Sequence, residues 1–477
     1  MTSVVILVAD GARPDTLKSA MDGGALPSLA RLREEGHFDV VSSVFPSVTG
    51  PAYTPFLMGR HPASVGLPGL RWFDRSRQAG AWPHHTRSYV GWDMRHVDTD
   101  LDSSSPTLFE LAEPSLAALN VIGRGLPRGS AIGRGPAFVA RAAVTHFTGN
   151  VRGWLNMDRH VSNEIVRRVI ADRPRVTFAA LTGIDKASHA DGHDSTAVRE
   201  AMRIVDDTVG ELREGLERGG RWQDTRLWVV SDHGHSPVSN HDDLELWIRS
   251  LGLSVVAHPW VHRPADDVAV MVSGNAMAHL YLELKRREPA GWPALAPRWN
   301  EFAGDLLQRE SVDIMLLPHD PRRCEIRSRD RGAAFVIREG DRLSYRPDSG
   351  DPLGIGEAGP LCTEAAYEAC LGSDYPDALL QIASLTSSRR CGDIVLSAAR
   401  NHDFRARYEP IPHRSAHGAL HADHMFVPLV GNHPAGGSPR RTVDVFPSAL
   451  EHLGITAPTS IEGSSYLKAD SRTLLSL

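Results

Sequence analysis

Four short runs in this chain are apolar at nearly every position: VVILVAD (Val4 to Asp10), VTFAALTGID (Val176 to Asp185), RLWVVSDHG (Arg226 to Gly234) and FVPLVG (Phe426 to Gly431). A strand that buries only one face alternates between apolar and polar residues. A continuous apolar run is expected where both faces are covered, as in a parallel sheet flanked by helices. Helical patterns lie between the runs. From Ser195 to Arg218 the residues Val198, Met202, Val205, Val209 and Leu212 recur at steps of three and four, and a second helix is expected over Pro27 to Glu35. Alternating strands and helices predict an α/β fold with a mainly parallel central sheet. Ligands of such sheets bind beyond the carboxyl ends of the strands. Asp10, Asp185, Asp232 and His233 fall there.

At 477 residues the chain exceeds one ordinary core, so several packed units or one core with a large insertion are expected. The stretch from about Val255 to Asp393 reads differently from its surroundings. It is rich in Arg, Pro and Gly, and the alternation in AAFVIREGDRLSYRP predicts a hairpin turning at Glu339 to Asp341. The expected organisation is a catalytic core in two parts, residues 1–254 and 394–477, with a smaller inserted or appended lobe over residues 255–393. The net charge of -6 lacks the basic surplus of a nucleic-acid binder. The first apolar run covers only Val4 to Ala9 with no basic segment before it, which reads as a strand rather than a signal peptide. No segment reaches the roughly 18 apolar residues of a membrane span. A cytoplasmic location is expected. Cys324, Cys362, Cys370 and Cys391 form no CxxC pair and lie far from the acidic strand ends, so a disulfide framework is not expected.

A carboxylate at the end of a buried strand needs a hydrogen-bonding partner, a counter-charge or a cation. One such Asp is an ordinary helix cap. Here three strand ends carry one, with His233 next to Asp232 and His189 four residues after Asp185. Asp and His with a hydroxyl oxygen suit zinc or manganese better than calcium or magnesium. Thr49, in SVTGP, would on its own be a turn residue before Gly-Pro.

Five segments in order resemble the alkaline phosphatase superfamily, and most closely its type I phosphodiesterase/nucleotide pyrophosphatase branch. They are ADGARPD with Asp10, FPSVTGPAYTPFLMGRHP with Thr49, GIDKASHADG with Asp185 and His189, VSDHG with Asp232 and His233, and AHGALHADHMFVPLVG with His417. The tail TVDVFPSALEHLGI resembles the closing helix of these enzymes. The resemblance implies an alkaline-phosphatase-like fold and two divalent metal ions, zinc or manganese. Asp185, His189 and His417 would hold one. Asp10, Asp232, His233 and the Thr49 oxygen would hold the other. It also implies hydrolysis of a small-molecule phosphodiester, pyrophosphate or related phosphate ester, with Thr49 as nucleophile and a phospho-threonine intermediate. The alternatives are a phosphomonoesterase or phosphonate hydrolase of the same superfamily, and a metal-binding protein without catalysis.

Two departures from the branch stand out. The Asn usually found three residues after the nucleophile is Ala52 here, leaving a backbone amide, Tyr53 or a residue of the insertion as substitutes. Val65 precedes Gly66 where the branch has HG. His193, His235, His241, His413, His421 and His424 also crowd the motifs. Each reads first as a supporting or surface residue, with His235 and His241 as candidates for substrate or ion contacts and His421 as the competitor to His417. HG followed ten residues later by the VP of a strand is the spacing of the branch, so the resemblance favours His417. SVTGP lacks the C/S-x-P-x-R segment of sulfatases.

Overall fold

The computed structural model describes residues 2–76, 85–258, 263, 265–406 and 409–467. Among these a seven-stranded sheet forms the centre. Its spatial order is His37–Ser42, Phe426–Gly431, Thr225–Val230, Ser3–Ala9, Val176–Leu181, Ser115–Ala118 and Ala131–Ile132. The last five run parallel, and Phe426–Gly431 is antiparallel to both of its neighbours. The parallel strands are buried at nearly every position, as continuous apolar runs require. Register aligns Ala9 with Leu181 and Val8 with Val230. The residues that follow therefore leave the sheet at one edge. These are Asp10, Thr182 to Asp185, and Ser231 to His233.

The helix at Pro27–Glu35 forms where expected, opened by a proline that has no amide to satisfy. Its next amides are taken by a neighbouring helix: Leu29 N–H donates to Asp206 Oδ1 at 2.8 Å and Ser28 N–H to Oδ2 at 3.3 Å. That neighbour, Thr196–Arg218, is capped by the Ser195 hydroxyl and turns its Val198, Met202, Val205, Val209 and Leu212 stripe into the core. Each such side chain contributes about 1.5–3 kcal/mol when fully buried.

A second, nine-stranded sheet is built from Val255–Ala257 through Ala358–Leu361, with Ile394–Ala398 inserted between Met277–Leu282 and Val312–Asp320. It is antiparallel except for its first pair. The expected hairpin is present, with Glu339 opposite Arg342. Trp292–Leu307 and Ala378–Thr386 contribute to two separate cores of this sheet. The smallest arrangement matters most for chemistry. Ser415–Ala416 pairs antiparallel with Ser236–His241, setting Ala416 opposite Ser236. This brings the 413–418 segment against the loop that follows Thr225–Val230. The four cysteines are not bonded to one another. Among the described residues no helix is long and apolar enough to cross a membrane.

Candidate metal centre

Asp10 follows the central strand and is fully buried. Its Oδ1 accepts from the Thr49 hydroxyl at 3.3 Å and lies 3.3 Å from His233 Nε2; its Oδ2 accepts from the Tyr53 hydroxyl at 3.2 Å. Thr49 Oγ1 is 3.0 Å from His233 Nε2. Asp232 Oδ1 accepts the Gly11 amide at 3.3 Å. Its Oδ2 is buried, has no hydrogen-bonding partner among the described residues, and lies 3.5 Å from His233 Nε2. Thr49, Asp10, Asp232 and His233 thus form one group.

Asp185 sits in the first turn of the Gly183–Asp191 helix rather than at the strand end, and His189 follows one turn later on the same face. Asp185 Oδ2 accepts from Lys186 Nζ at 2.7 Å. Oδ1 faces three imidazoles: His235 Nε2 at 3.0 Å, His189 Nε2 at 3.2 Å and His417 Nε2 at 3.5 Å. Burial alone would raise the Asp185 carboxyl, but Lys186 and the histidines hold it well below the usual range. The helix itself is anchored from behind. Asp158, buried within the Val151–Asp172 helix, accepts from Gly183 N–H at 2.6 Å and Thr182 N–H at 3.2 Å. Burial pushes its carboxyl up to about 7 despite these amides.

The two groups touch. The rings of His233 and His417 stack with centroids 3.6 Å apart and planes 2° from parallel. Asp185, His233, His235 and His417 bring ligand-type atoms within 4.8 Å of one another, as do Asp10, Asp232 and His233.

The residues suit divalent cations, as their hydrogen bonds show. Three implied ligands present the same side of the ring to a backbone carbonyl. His189 Nδ1 donates to Ser415 O at 2.8 Å, His417 Nδ1 to Ser47 O at 2.9 Å and His233 Nδ1 to Gly234 O at 3.1 Å. Anchoring Nδ1–H fixes the tautomer, and in a neutral ring it leaves Nε2 as a lone pair. Burial drives His417 well below its ordinary value, so that ring is neutral. Lone pairs and carboxylate oxygens therefore converge on the same points, an arrangement a cation relieves. His233 behaves differently. Burial lowers it, but the charges of Asp232 and Asp10 outweigh burial and raise it to about 9, so a proton occupies the place a cation would take.

The remaining histidines separate clearly. His235, which the sequence offers first as a supporting residue and also as a candidate for substrate or ion contacts, lies at the centre with zero exposure. Nothing in the sequence marks it apart from its place two residues after His233. His413 is adjacent: its ring is 4.6 Å from that of His189, its Nε2 donates to Glu409 at 2.9 Å and its Nδ1 accepts from Asn275 at 3.0 Å. His421 and His424 form a separate pair at 4.0 Å, with His424 tied to Ser236 and to the Ala419 amide. It is His417, not His421, that faces Asp185. His241 pairs with Asp403, and His193 lines a surface cleft with Asp15 and Arg199. Two substitutes for the missing Asn are already engaged. The Tyr53 hydroxyl is on Asp10, and the Ala52 amide donates to Val48 O. Gly11 permits the close packing: at φ +80°, an added Cβ would come 2.9 Å from His235 Nε2 and 3.1 Å from Asp185 Cα.

The fold has counterparts among known structures. The architecture is similar to phosphonoacetate hydrolase from Sinorhizobium meliloti, at 19% identity and a TM-score of 0.56, covering 94% of this chain and 95% of that one. It is also similar to human ectonucleotide pyrophosphatase/phosphodiesterase 5, at 14% identity and a TM-score of 0.58, covering 97% of each chain. Likenesses this distant establish the fold. By sequence the chain is 27% identical over 275 residues to an uncharacterized pyrophosphatase/phosphodiesterase of Schizosaccharomyces pombe, a match covering 54% of this chain and about half of that relative, 49%. The profile of type I phosphodiesterase / nucleotide pyrophosphatase matches residues 4–320, about two thirds of the sequence. With the alkaline-phosphatase-like fold and the order of its motifs, this match places the chain in the type I phosphodiesterase/nucleotide pyrophosphatase family.

Proposed function

We propose that this protein is a metal-dependent hydrolase of phosphodiesters, pyrophosphates or related phosphate esters, with Thr49 as its nucleophile. The observation that carries the reading is the placement of the Thr49 hydroxyl, 3.3 Å from Asp10 Oδ1 and 3.0 Å from His233 Nε2, where the two Asp/His groups meet. Asp185, His189 and His417 would hold one divalent ion, zinc or manganese. Asp10, Asp232, His233 and the Thr49 oxygen would hold the second. Such ions supply Lewis acidity that lowers the pKa of a bound hydroxyl and offsets charge on phosphoryl oxygens.

The rest falls to the chain's own residues. A threonine hydroxyl is a weak nucleophile until its proton is drawn away. Asp10 Oδ1 is the nearest carboxylate oxygen to receive that proton, and Tyr53 holds Asp10 in place from the other side. Attack of the Thr49 oxygen on phosphorus forms a Thr–O–P bond and releases the leaving group with its bonding electrons. Water then cleaves that bond, returning the threonine hydroxyl and the phosphate product. The Lys186 ammonium, 2.7 Å from Asp185 Oδ2, offsets the charge of that carboxylate.

A small-molecule phosphate ester is the expected substrate. Ala52 is fully buried and offers no side-chain donor. Contacts to non-bridging oxygens must therefore come from elsewhere, and Asn275, in the turn between Val268–Ser273 and Met277–Leu282 and bridged to His417, is one candidate amide. The test is a paired assay of metal-analysed protein on bis-p-nitrophenyl phosphate and p-nitrophenyl phosphate. Two equivalents of metal and a diester preference are expected. A monoester preference would move the reading to the phosphatase or phosphonate hydrolase alternative. Metal without turnover on either substrate would favour the non-catalytic one.

A further inference from the structure

We infer that His235 is a direct ligand of the cation held by Asp185, His189 and His417, so that this half-site consists of one carboxylate and three imidazoles. The inference rests on the two-cation reading above. It adds a donor that the family resemblance does not imply.

His235 Nε2 lies 3.0 Å from Asp185 Oδ1, closer than the corresponding atoms of His189 and His417 at 3.2 and 3.5 Å. The ring has no exposure. Its hydrogen bonds assign its tautomer. The Ser415 hydroxyl has a single proton, and its shorter contact is to the carbonyl of Ser236 at 2.8 Å. At 3.2 Å from His235 Nδ1, Ser415 Oγ is then the acceptor, and Nδ1 carries the hydrogen. In the neutral ring Nε2 is left with a lone pair aimed at a carboxylate oxygen, which is also an acceptor. Two acceptors facing each other at 3.0 Å in a buried site repel unless a cation joins them.

One residue orients two of the rings. Ser415 takes His189 Nδ1–H on its carbonyl and His235 Nδ1–H on its hydroxyl. This is the outer support that metal-binding imidazoles characteristically have, since fixing Nδ1 frees Nε2 for the ion. Gly11 completes the case, because any side chain there would fill the space at His235 Nε2. In the competing arrangement His235 would donate Nε2–H to Asp185 and act as a positioning residue. For a neutral ring that requires Ser415 to turn its proton from Ser236 O to His235 Nδ1.

The test uses the full chain loaded with zinc. Anomalous diffraction at the zinc edge should place an ion about 2.0–2.1 Å from His235 Nε2, the usual zinc–imidazole distance. In solution, competition with a chromophoric chelator should show His235→Gln weakening this half-site by more than about 100-fold, beyond the 10–100-fold that losing an outer partner costs. The half-site of Asp10, Asp232 and His233 should stay loaded. An ion on Asp185, His189 and His417 with His235 only hydrogen-bonded to Asp185 overturns the inference, as does a loss of affinity within the outer-partner range. The wild-type diffraction result stands even if His235→Gln fails to fold. No zinc in the wild-type protein overturns the two-cation reading itself, and this inference with it.

Discussion

Asp158 offers a sharp test of the electrostatics behind the site. Its carboxyl is 2% exposed and accepts two amides at the start of the helix that carries Asp185 and His189. Burial raises it from 3.8 to about 7. Between those values the folded protein holds a proton that the unfolded chain has released. Stability therefore falls as pH rises through this window, and the penalty is complete above the folded value. At 1.36 kcal/mol per unit, the change between pH 4.5 and 7.5 is roughly 3 kcal/mol. Asp158→Asn removes the titration while keeping the shape. Its lost or mismatched amide contact costs about 1–3 kcal/mol at every pH. The assay is urea unfolding of both proteins across this range in excess EDTA, so that cation binding drops out of the linkage. Relative to wild type, the Asn variant should gain roughly 3 kcal/mol from low to high pH. Parallel stability curves would refute the reasoning and show that the two amides alone keep Asp158 ionised.

Other expectations follow from the same geometry. Thr49→Ala should lower turnover at least about a thousandfold while metal content is unchanged; near-normal turnover would remove Thr49 from the mechanism. Asp232→Asn should reduce metal content and activity together, because its unpartnered Oδ2 is then an amide; full occupancy by elemental analysis would show that the ligand set is wrong. Asp377→Ala strands the buried Arg441 guanidinium, which holds Asp377 through contacts of 2.7 and 2.8 Å, and should cost about 3–5 kcal/mol in denaturant unfolding; a loss under 1 kcal/mol would mean that solvent reaches Arg441.

Much of the architecture is legible because burial on both faces writes itself into sequence. Val4 to Ala9 and Val176 to Leu181 have no polar residue to place outside except Thr177, and both become inner strands of the central sheet. Asp10, Asp232 and His233 follow from the strand ends. Asp185 is read with them, although it lies on a helix turn beyond its strand. What stayed hidden depends on pairings distant in sequence. His235 gains its meaning from Ser415, 180 residues away, through a strand pair only two residues long on one side. Asp158 sits mid-helix without a motif, and its role appears only when the 182–183 amides arrive. The direction of Phe426–Gly431 was equally invisible, because an apolar run has no polarity of its own.

The stacked rings of His233 and His417 carry a consequence for synthesis. They are separated by 184 residues, and the strands of the nine-stranded sheet lie between them. At 5–20 residues per second, a ribosome needs roughly 10–40 s to pass from one ring to the other. Throughout that interval the nascent chain carries Asp10, Asp232 and His233 while the partner imidazole does not yet exist. The two halves of this centre are thus made in sequence, and the first can meet the cell's cations before the second is translated.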